Sequence, residues 1–267
     1  MEHFAMGRWL MILAYLTSAL GCAVGLACAV RARRATTSQG RLSWLGMAAV
    51  SIGGVGIWIM HFTAMLGFAT PGMPVRYDIP NTALSAVLAV IAVFVGLVVF
   101  DARTDFAWWR LIVAGLITGL AVNIMHYTGM RAVHVQGAIS YEPTLVALSV
   151  VIAVVAATVA LWFTAKLDLL VHRLLACVVM AIAVTGMHYT GMAAVRVHLA
   201  AAAPHPAGVE VFSFVFPVFV ISGFALAVPI TAVLVTGTSP TPGPWSFQYT
   251  ADKDKLSTEH LANYKIG

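Results

Sequence analysis

Charge is scarce in this sequence. Only 9% of its 267 residues are Asp, Glu, Lys or Arg, against 61% hydrophobic, and the mean hydropathy is +0.92. A soluble domain carries roughly 25% charged residues. This chain has too few to cover a water-facing surface, which excludes the soluble fold classes. Cysteine is rarer still. Cys22, Cys28 and Cys177 all fall in apolar stretches with no C-x-x-C, so they read as small buried hydrophobes, neither a disulfide framework nor a redox motif. Acidic residues are absent from every long apolar run. That removes carboxylate chemistry from the interior, and with no nucleophile–base pair or phosphate loop the chain is expected not to be an enzyme.

What is present is a series of apolar windows. Seven are long enough to cross a bilayer, which takes about 20 residues: 9–30, 42–66, 82–100, 108–133, 145–165, 174–195 and 211–235. Lipid offers the backbone no hydrogen-bond partners, so the spans must be helical even where Val is frequent. The first window, of 22 residues, exceeds the roughly 7–15 of a signal-peptide core, and its arginines follow it; it is expected to be a retained helix. The expected class is an all-α polytopic membrane protein with seven transmembrane helices. The membrane domain is expected over 1–236 and a cytoplasmic polar tail over 237–267.

The net charge of +5 reports topology and not nucleic-acid binding. Eleven of the fifteen basic residues (Arg31, Arg33, Arg34, Arg41, Arg103, Arg110, Lys166, Arg173, Lys253, Lys255 and Lys265) fall on one side of this arrangement. Arg8, Arg76, Arg131 and Arg196 fall on the other. The positive-inside rule then puts the N-terminus outside and the tail in the cytoplasm.

A six-residue phrase occurs three times in the apolar runs: Met60-His61-Phe62-Thr63-Ala64-Met65, Met125-His126-Tyr127-Thr128-Gly129-Met130 and Met187-His188-Tyr189-Thr190-Gly191-Met192. The histidines are 65 and 62 residues apart. Each copy lies near the end of the second helix of a pair, so all three sit at one depth near the outer face. Two-helix units repeat in parallel, which predicts three such repeats in a pseudo-threefold arrangement about the membrane normal, plus a seventh helix. Intramembrane histidines are costly and are functional candidates by default.

On a helical wheel the His and the Met four residues later share a face, with the preceding Met and following Tyr at its edges. Three such faces collect His61, His126 and His188 with Met65, Met130 and Met192, and a second set of thioethers in Met60, Met125 and Met187. Imidazole plus thioether without carboxylate or thiolate is a soft ligand set that fits copper as Cu(I) or Cu(II). It does not fit Ca²⁺ or Mg²⁺, and zinc has little use for the methionines. Asn123, one turn before His126, is placed to support an imidazole, with Thr185 and Trp58 in the corresponding positions. Haem held by two histidines is the alternative cofactor. A copper or small-solute permease is the alternative function, although its ligands would be expected through the whole bilayer depth. His3, His134 and His198 lie toward the outer rim, where loop positions are the simpler reading.

These phrases, with Gly56-Ile57-Trp58-Ile59 before the first, resemble the MHYT domain family, a bacterial integral-membrane sensor module, over residues 9–235. The resemblance implies a sensor in the bacterial cytoplasmic membrane. In it Met60, His61, Met125, His126, Tyr127, Met187, His188 and Tyr189 bind copper near the outer face and respond to a diatomic gas such as oxygen, CO or NO. Phe62 departs from the pattern. Family members often carry a cyclic-di-GMP-turnover or kinase output domain after this module. The 31 residues from Gly237 are too short for one, so a stand-alone sensor signalling through a separate cytoplasmic partner is the expectation.

Overall fold

A computed structural model describes residues 9–70, 73–100, 106–166, 169–200 and 202–237. His3 and the tail beyond 237 lie outside the described residues. Seven helices are long and apolar enough to cross a membrane: α1 (Trp9–Arg34), α2 (Ser38–Met65), α3 (Ile79–Phe100), α4 (Trp108–Arg131), α5 (Pro143–Lys166), α6 (Leu170–Ala193) and α7 (Val211–Gly237). Several start earlier than hydropathy suggests, because polar caps extend them. Thr37 Oγ1 accepts from Gly40 N at 3.1 Å to open α2. Asp78 Oδ1 accepts from Asn81 N at 2.8 Å at the start of α3. The Glu142 carboxylate accepts from Thr144 N and Leu145 N, both at 3.0 Å, before Pro143 opens α5. Asp, Glu and Thr here satisfy amides that the first helical turn leaves free, and proline tolerates that first turn.

The chain divides into two compact units, Met1–Ile230 and Thr231–Gly267. In the first, six helices close into a ring, each packed on the next from α1 to α6, with α6 returning to α1. The motif helices face the axis. Their spans are 61, 50 and 44% buried for α2, α4 and α6, against 39, 39 and 17% for α1, α3 and α5. The seventh helix runs unbroken through Pro217 and Pro229.

The repeats are not identical. The middle of α2, Val50–Ile59, is π-helical, whereas α4 is regular. The reason is an extra residue. A Cβ on Gly53 would run into the Ala89 carbonyl on α3, and one on Gly119 would run into the Val154 and Ala153 backbone on α5. These are corresponding close approaches, yet Gly53 precedes His61 by eight residues and Gly119 precedes His126 by seven. The wider π turn takes up the surplus residue, and both histidines reach the same place.

The connections on the motif side form short strands, where hydropathy leaves loops. They are β1 (Arg76–Tyr77), β2 (Val133–His134), β3 (Gly137–Tyr141), β4 (Val195–Leu199) and β5 (Val209–Glu210). β1 pairs antiparallel with both β2 and β5, and β3 pairs antiparallel with β4. Each pairing joins the segment after one motif helix to the segment after another, so the three repeats are tied together above the motif. Arg76 and Glu210, opposite each other, form an ion pair at 3.0 Å.

Candidate functional site

His61, His126 and His188 are each 1% exposed. They meet at the axis. Nδ1 of His61 lies 3.0 Å from Nδ1 of His188 and 3.2 Å from Nδ1 of His126. The ligand atoms of all three lie within 4.8 Å of one another. Ring centroids are 4.9 to 5.3 Å apart and the planes are nearly perpendicular, 81–85°, so the imidazoles form a three-bladed propeller with Nδ1 at its hub.

The Nε2 atoms of His61 and His126 point outward onto neighbouring helices. A Cβ on Gly129 would stand 2.8 Å from His61 Nε2, and one on Gly191 would stand 2.5 Å from His126 Nε2. Glycine in the fifth position of the motif therefore makes room for the imidazole of another repeat. The Nε2 atoms of His61 and His126 have no hydrogen-bond partner among the described residues. An apolar, fully buried setting favours uncharged imidazole, the form that binds metal. Three nitrogens ~2.0 Å from one ion with tetrahedral angles sit about 3.3 Å apart, close to the separations seen here.

The aromatic residue after each histidine stands edge-on to it: Phe62 to His61 at 4.8 Å, Tyr127 to His126 at 4.9 Å and Tyr189 to His188 at 5.0 Å. This contact needs a ring and no phenol, which accounts for Phe62. Tyr127 Oη lies 3.2 Å from Ser149 Oγ.

Asn123 does not take the place expected for it beside the imidazole. Its Nδ2 donates to Ser149 Oγ on α5 at 3.1 Å. In repeat 1 the indole of Trp58 donates to Ser85 Oγ on α3 at 2.9 Å. The residue three before each of these histidines thus clamps its helix to the serine of the next. The shared Ala83-Leu84-Ser85 and Ala147-Leu148-Ser149 is the sequence signal for this, and it passes unnoticed when only the motif is compared. In the third repeat Thr185 is 8% exposed and its hydroxyl has no hydrogen-bond partner among the described residues.

All six motif methionines are buried, at 1–3% exposure, and their surroundings differ. Met60 packs with Ala14, Ala64, Val184 and Tyr189. Met187 lines an apolar cavity on the side of the ring away from the strands. Met130 lines a polar cavity of about 370 Å³ under the strands, with Arg131, His134 and Tyr141. Met65 offers its carbonyl to Tyr77 Oη at 3.4 Å. Met125 and Met192 are buried. The thioethers thus have packing roles in view, while the imidazoles form the tight cluster.

The outer histidines are held in the strands. His134 Nδ1 bonds the Ala207 carbonyl at 2.9 Å and His198 Nε2 meets Ser140 Oγ at 3.1 Å. Tyr77, on β1, is 1% exposed, and burial pushes its phenol up from the usual tyrosine value. Burial likewise raises Tyr141, whose ring is 5.3 Å from Tyr127. Glu142 is shifted down by the Thr144 backbone amide it caps, then by the Thr144 hydroxyl and the Leu145 amide.

A family model described as "MHYT: Bacterial signalling protein N terminal repeat" matches residues 54–114 and 119–177. Each match begins inside a motif helix and runs through the helix that follows, so both contain a Met-His motif and the third copy lies beyond them. Three curated bacterial proteins align with the chain. A bifunctional diguanylate cyclase/cyclic di-GMP phosphodiesterase, MucR, from Pseudomonas aeruginosa is 41% identical over 62% of this chain and 25% of its own length. The cyclic di-GMP phosphodiesterase NbdA from the same organism is 35% identical over 73% of this chain and 25% of its own. The signaling protein YkoW from Bacillus subtilis is 33% identical over 70% and 24%. The chain therefore spans about a quarter of the length of each. No solved structure matches.

Proposed function

This chain belongs to the MHYT family, and on that footing we propose that its membrane domain is a sensor whose histidine ring holds copper near the outer face of the bacterial cytoplasmic membrane. The observation that carries this reading is the convergence of three buried Nδ1 atoms, two of the three pairs at 3.0 and 3.2 Å. Among the described residues no carboxylate or thiolate belongs to the cluster. Three uncharged imidazoles among thioether-bearing residues suit Cu(I) and tolerate Cu(II). Zinc accepts the same nitrogens, so metal analysis must separate the two. His61, His126 and His188 hold the ion; the edge-on Phe62, Tyr127 and Tyr189 fix the imidazole planes. Bound copper supplies a coordination position for a diatomic gas such as oxygen, CO or NO.

Haem fits the site poorly. The imidazoles touch one another and leave no gap for a porphyrin. Ion transport also fits poorly, because apolar side chains wall the space below the ring. The names of the relatives MucR and NbdA attach cyclic-di-GMP chemistry to proteins about four times the aligned length. In this reading the ring domain senses and a cytoplasmic partner responds. The ring joins α2, α4 and α6, so a change in imidazole spacing moves the three motif helices together. In this reading the positive-inside rule assigns those helices' motif ends to the outside and their signalling ends to the cytoplasm.

Purified chain in nanodiscs, loaded with copper and assayed by elemental analysis and CO infrared spectroscopy, tests this. One copper per chain with a copper–CO stretch is expected, and replacing all three histidines with Ala abolishes both. A wild type that stays copper-free after loading, or a triple variant that keeps its copper, overturns it.

A further inference from the structure

Directly beneath the histidine ring lies a cavity of about 60 Å³, walled by five of the six ring helices. Its upper wall includes Ile57, Val122 and Val184, each four residues before one of the three histidines, and Met187, the neighbour of His188. Val122 and Val184 stand one helical turn below His126 and His188 on the same face, so the chamber reaches to within a turn of the ring, whose imidazoles do not themselves line it. Only Thr118 and Thr164 bring polar atoms to the wall. Both hydroxyls are already engaged: Thr164 donates to the Leu161 carbonyl of its own helix at 2.6 Å and Thr118 to the Ala92 carbonyl on α3 at 3.5 Å. A buried water needs two to four polar partners and at least about 10–15 Å³, and apolar cavities of ample size stay dry and take up xenon or small apolar guests. This chamber has the room and lacks the partners.

A second apolar space adjoins the chamber. Between α5 and α6, facing lipid, runs an apolar groove of about 290 Å³ lined by Val151, Val155 and Val179 among others. Those three are 58, 57 and 47% exposed, so they meet acyl chains. Ala156 and Met180 line both this groove and the chamber. Apolar gases dissolve better in hydrocarbon than in water, so the bilayer is the richer source of such a guest.

We propose that this chamber is a binding site for a small apolar gas molecule, filled sideways from the bilayer past Ala156 and Met180 and delivering its guest to the underside of the histidine ring. The proposal rests on the gas-sensing reading for the guest's destination, not for the chamber's existence. At about 60 Å³ the space admits a diatomic molecule or a noble-gas atom and excludes most of a lipid tail.

Two experiments on the full chain separate the two ideas. The first is a crystal structure of copper-free wild type under xenon pressure. Xenon density among Val122, Val184 and Met187 is expected, and its absence, or acyl-chain density there, overturns the chamber. The second is flash-photolysis rebinding of CO to copper-loaded Ala156→Phe and the milder Ala156→Val. Rebinding is expected to slow by roughly tenfold in Ala156→Phe, the effect of about 1.4 kcal/mol of added barrier, and less in Ala156→Val. Copper stoichiometry and the CO stretch stay as in wild type. An unchanged rate in both variants overturns the sideways entry. Xenon in the chamber of a chain that binds no CO at copper sinks the sensing reading and leaves the chamber standing; CO binding without xenon does the reverse.

Discussion

Repeats 1 and 2 deliver the same imidazole to the same hub by different local means. Repeat 2 uses a regular helix, an asparagine–serine clamp, a tyrosine and a glycine in the motif. Repeat 1 uses a π-helical segment, a tryptophan–serine clamp, a phenylalanine and an alanine. The shared features separate what the hub requires from what it tolerates. It requires a histidine with Nδ1 inward, a ring edge-on to it and a small residue at the motif's fifth position; the side-chain donor to the serine of the next helix is common to repeats 1 and 2 alone among the described residues. It tolerates the loss of a phenol, the exchange of an amide for an indole and an extra residue in the helix.

The largest break in this comparison is removal of an imidazole. Any one of His61, His126 or His188 changed to Ala should lower copper affinity by more than ~100-fold, since loss of outer support alone costs 10–100-fold. Titration with a competing Cu(I) chelator measures it, and equal losses from all three positions are expected despite the differences between repeats. Next comes the small residue. Gly191→Ala and Gly129→Ala push a methyl group against His126 and His61. Crowding a packed interior costs about 1–3 kcal/mol, read as a lower unfolding temperature in detergent together with weakened copper binding. Ala64→Gly should leave copper binding unchanged.

The clamps come third. Ser149→Ala leaves both Asn123 and Tyr127 without their serine, and Ser85→Ala leaves only Trp58. A buried donor left unpaired costs about 1–3 kcal/mol, so Ser149→Ala should lower stability more than Ser85→Ala. Tyr127→Phe makes repeat 2 like repeat 1. It should cost about 0.5–1.5 kcal/mol in stability and leave copper affinity unchanged; a large loss of copper would show that the phenol does more than touch Ser149.

The smallest effect concerns the acidic caps of α3 and α5. The Glu142 carboxylate is held below its ordinary value by the amides it caps. Its contribution is therefore complete above the usual carboxylate range and is lost as pH falls through the lowered value. Hydrogen exchange at Thr144 and Leu145 should quicken on acidification in wild type relative to Glu142→Gln, which lacks that dependence.

The large features were legible because lipid leaves the chain few choices. Runs such as 82–100 must be helical, and three copies of one phrase at one depth must share an axis. The seven spans and the meeting of His61, His126 and His188 follow. Three things were not legible. The extra residue between Gly53 and His61 is invisible without knowing that Gly53 and Gly119 make the same backbone contact. The role of Asn123 depended on Ser149, a partner 26 residues away outside the motif. Strands of two residues, such as Arg76–Tyr77 and Val209–Glu210, are too short to show an alternating pattern and exist because three chain segments converge above the ring. The methionines were read as ligands from wheel geometry and, for Met60, Met125 and Met187, from the family resemblance, and burial gives Met60, Met130 and Met187 other neighbours.

The central claim is that three inward Nδ1 atoms make one copper site. X-ray absorption at the copper edge, on copper-loaded chain carrying no competing metal, tests it most directly. Three nitrogen scatterers at one short distance are expected, reduced to two when His126 is replaced by Ala. A first shell dominated by sulfur, or one unchanged by that substitution, would contradict it.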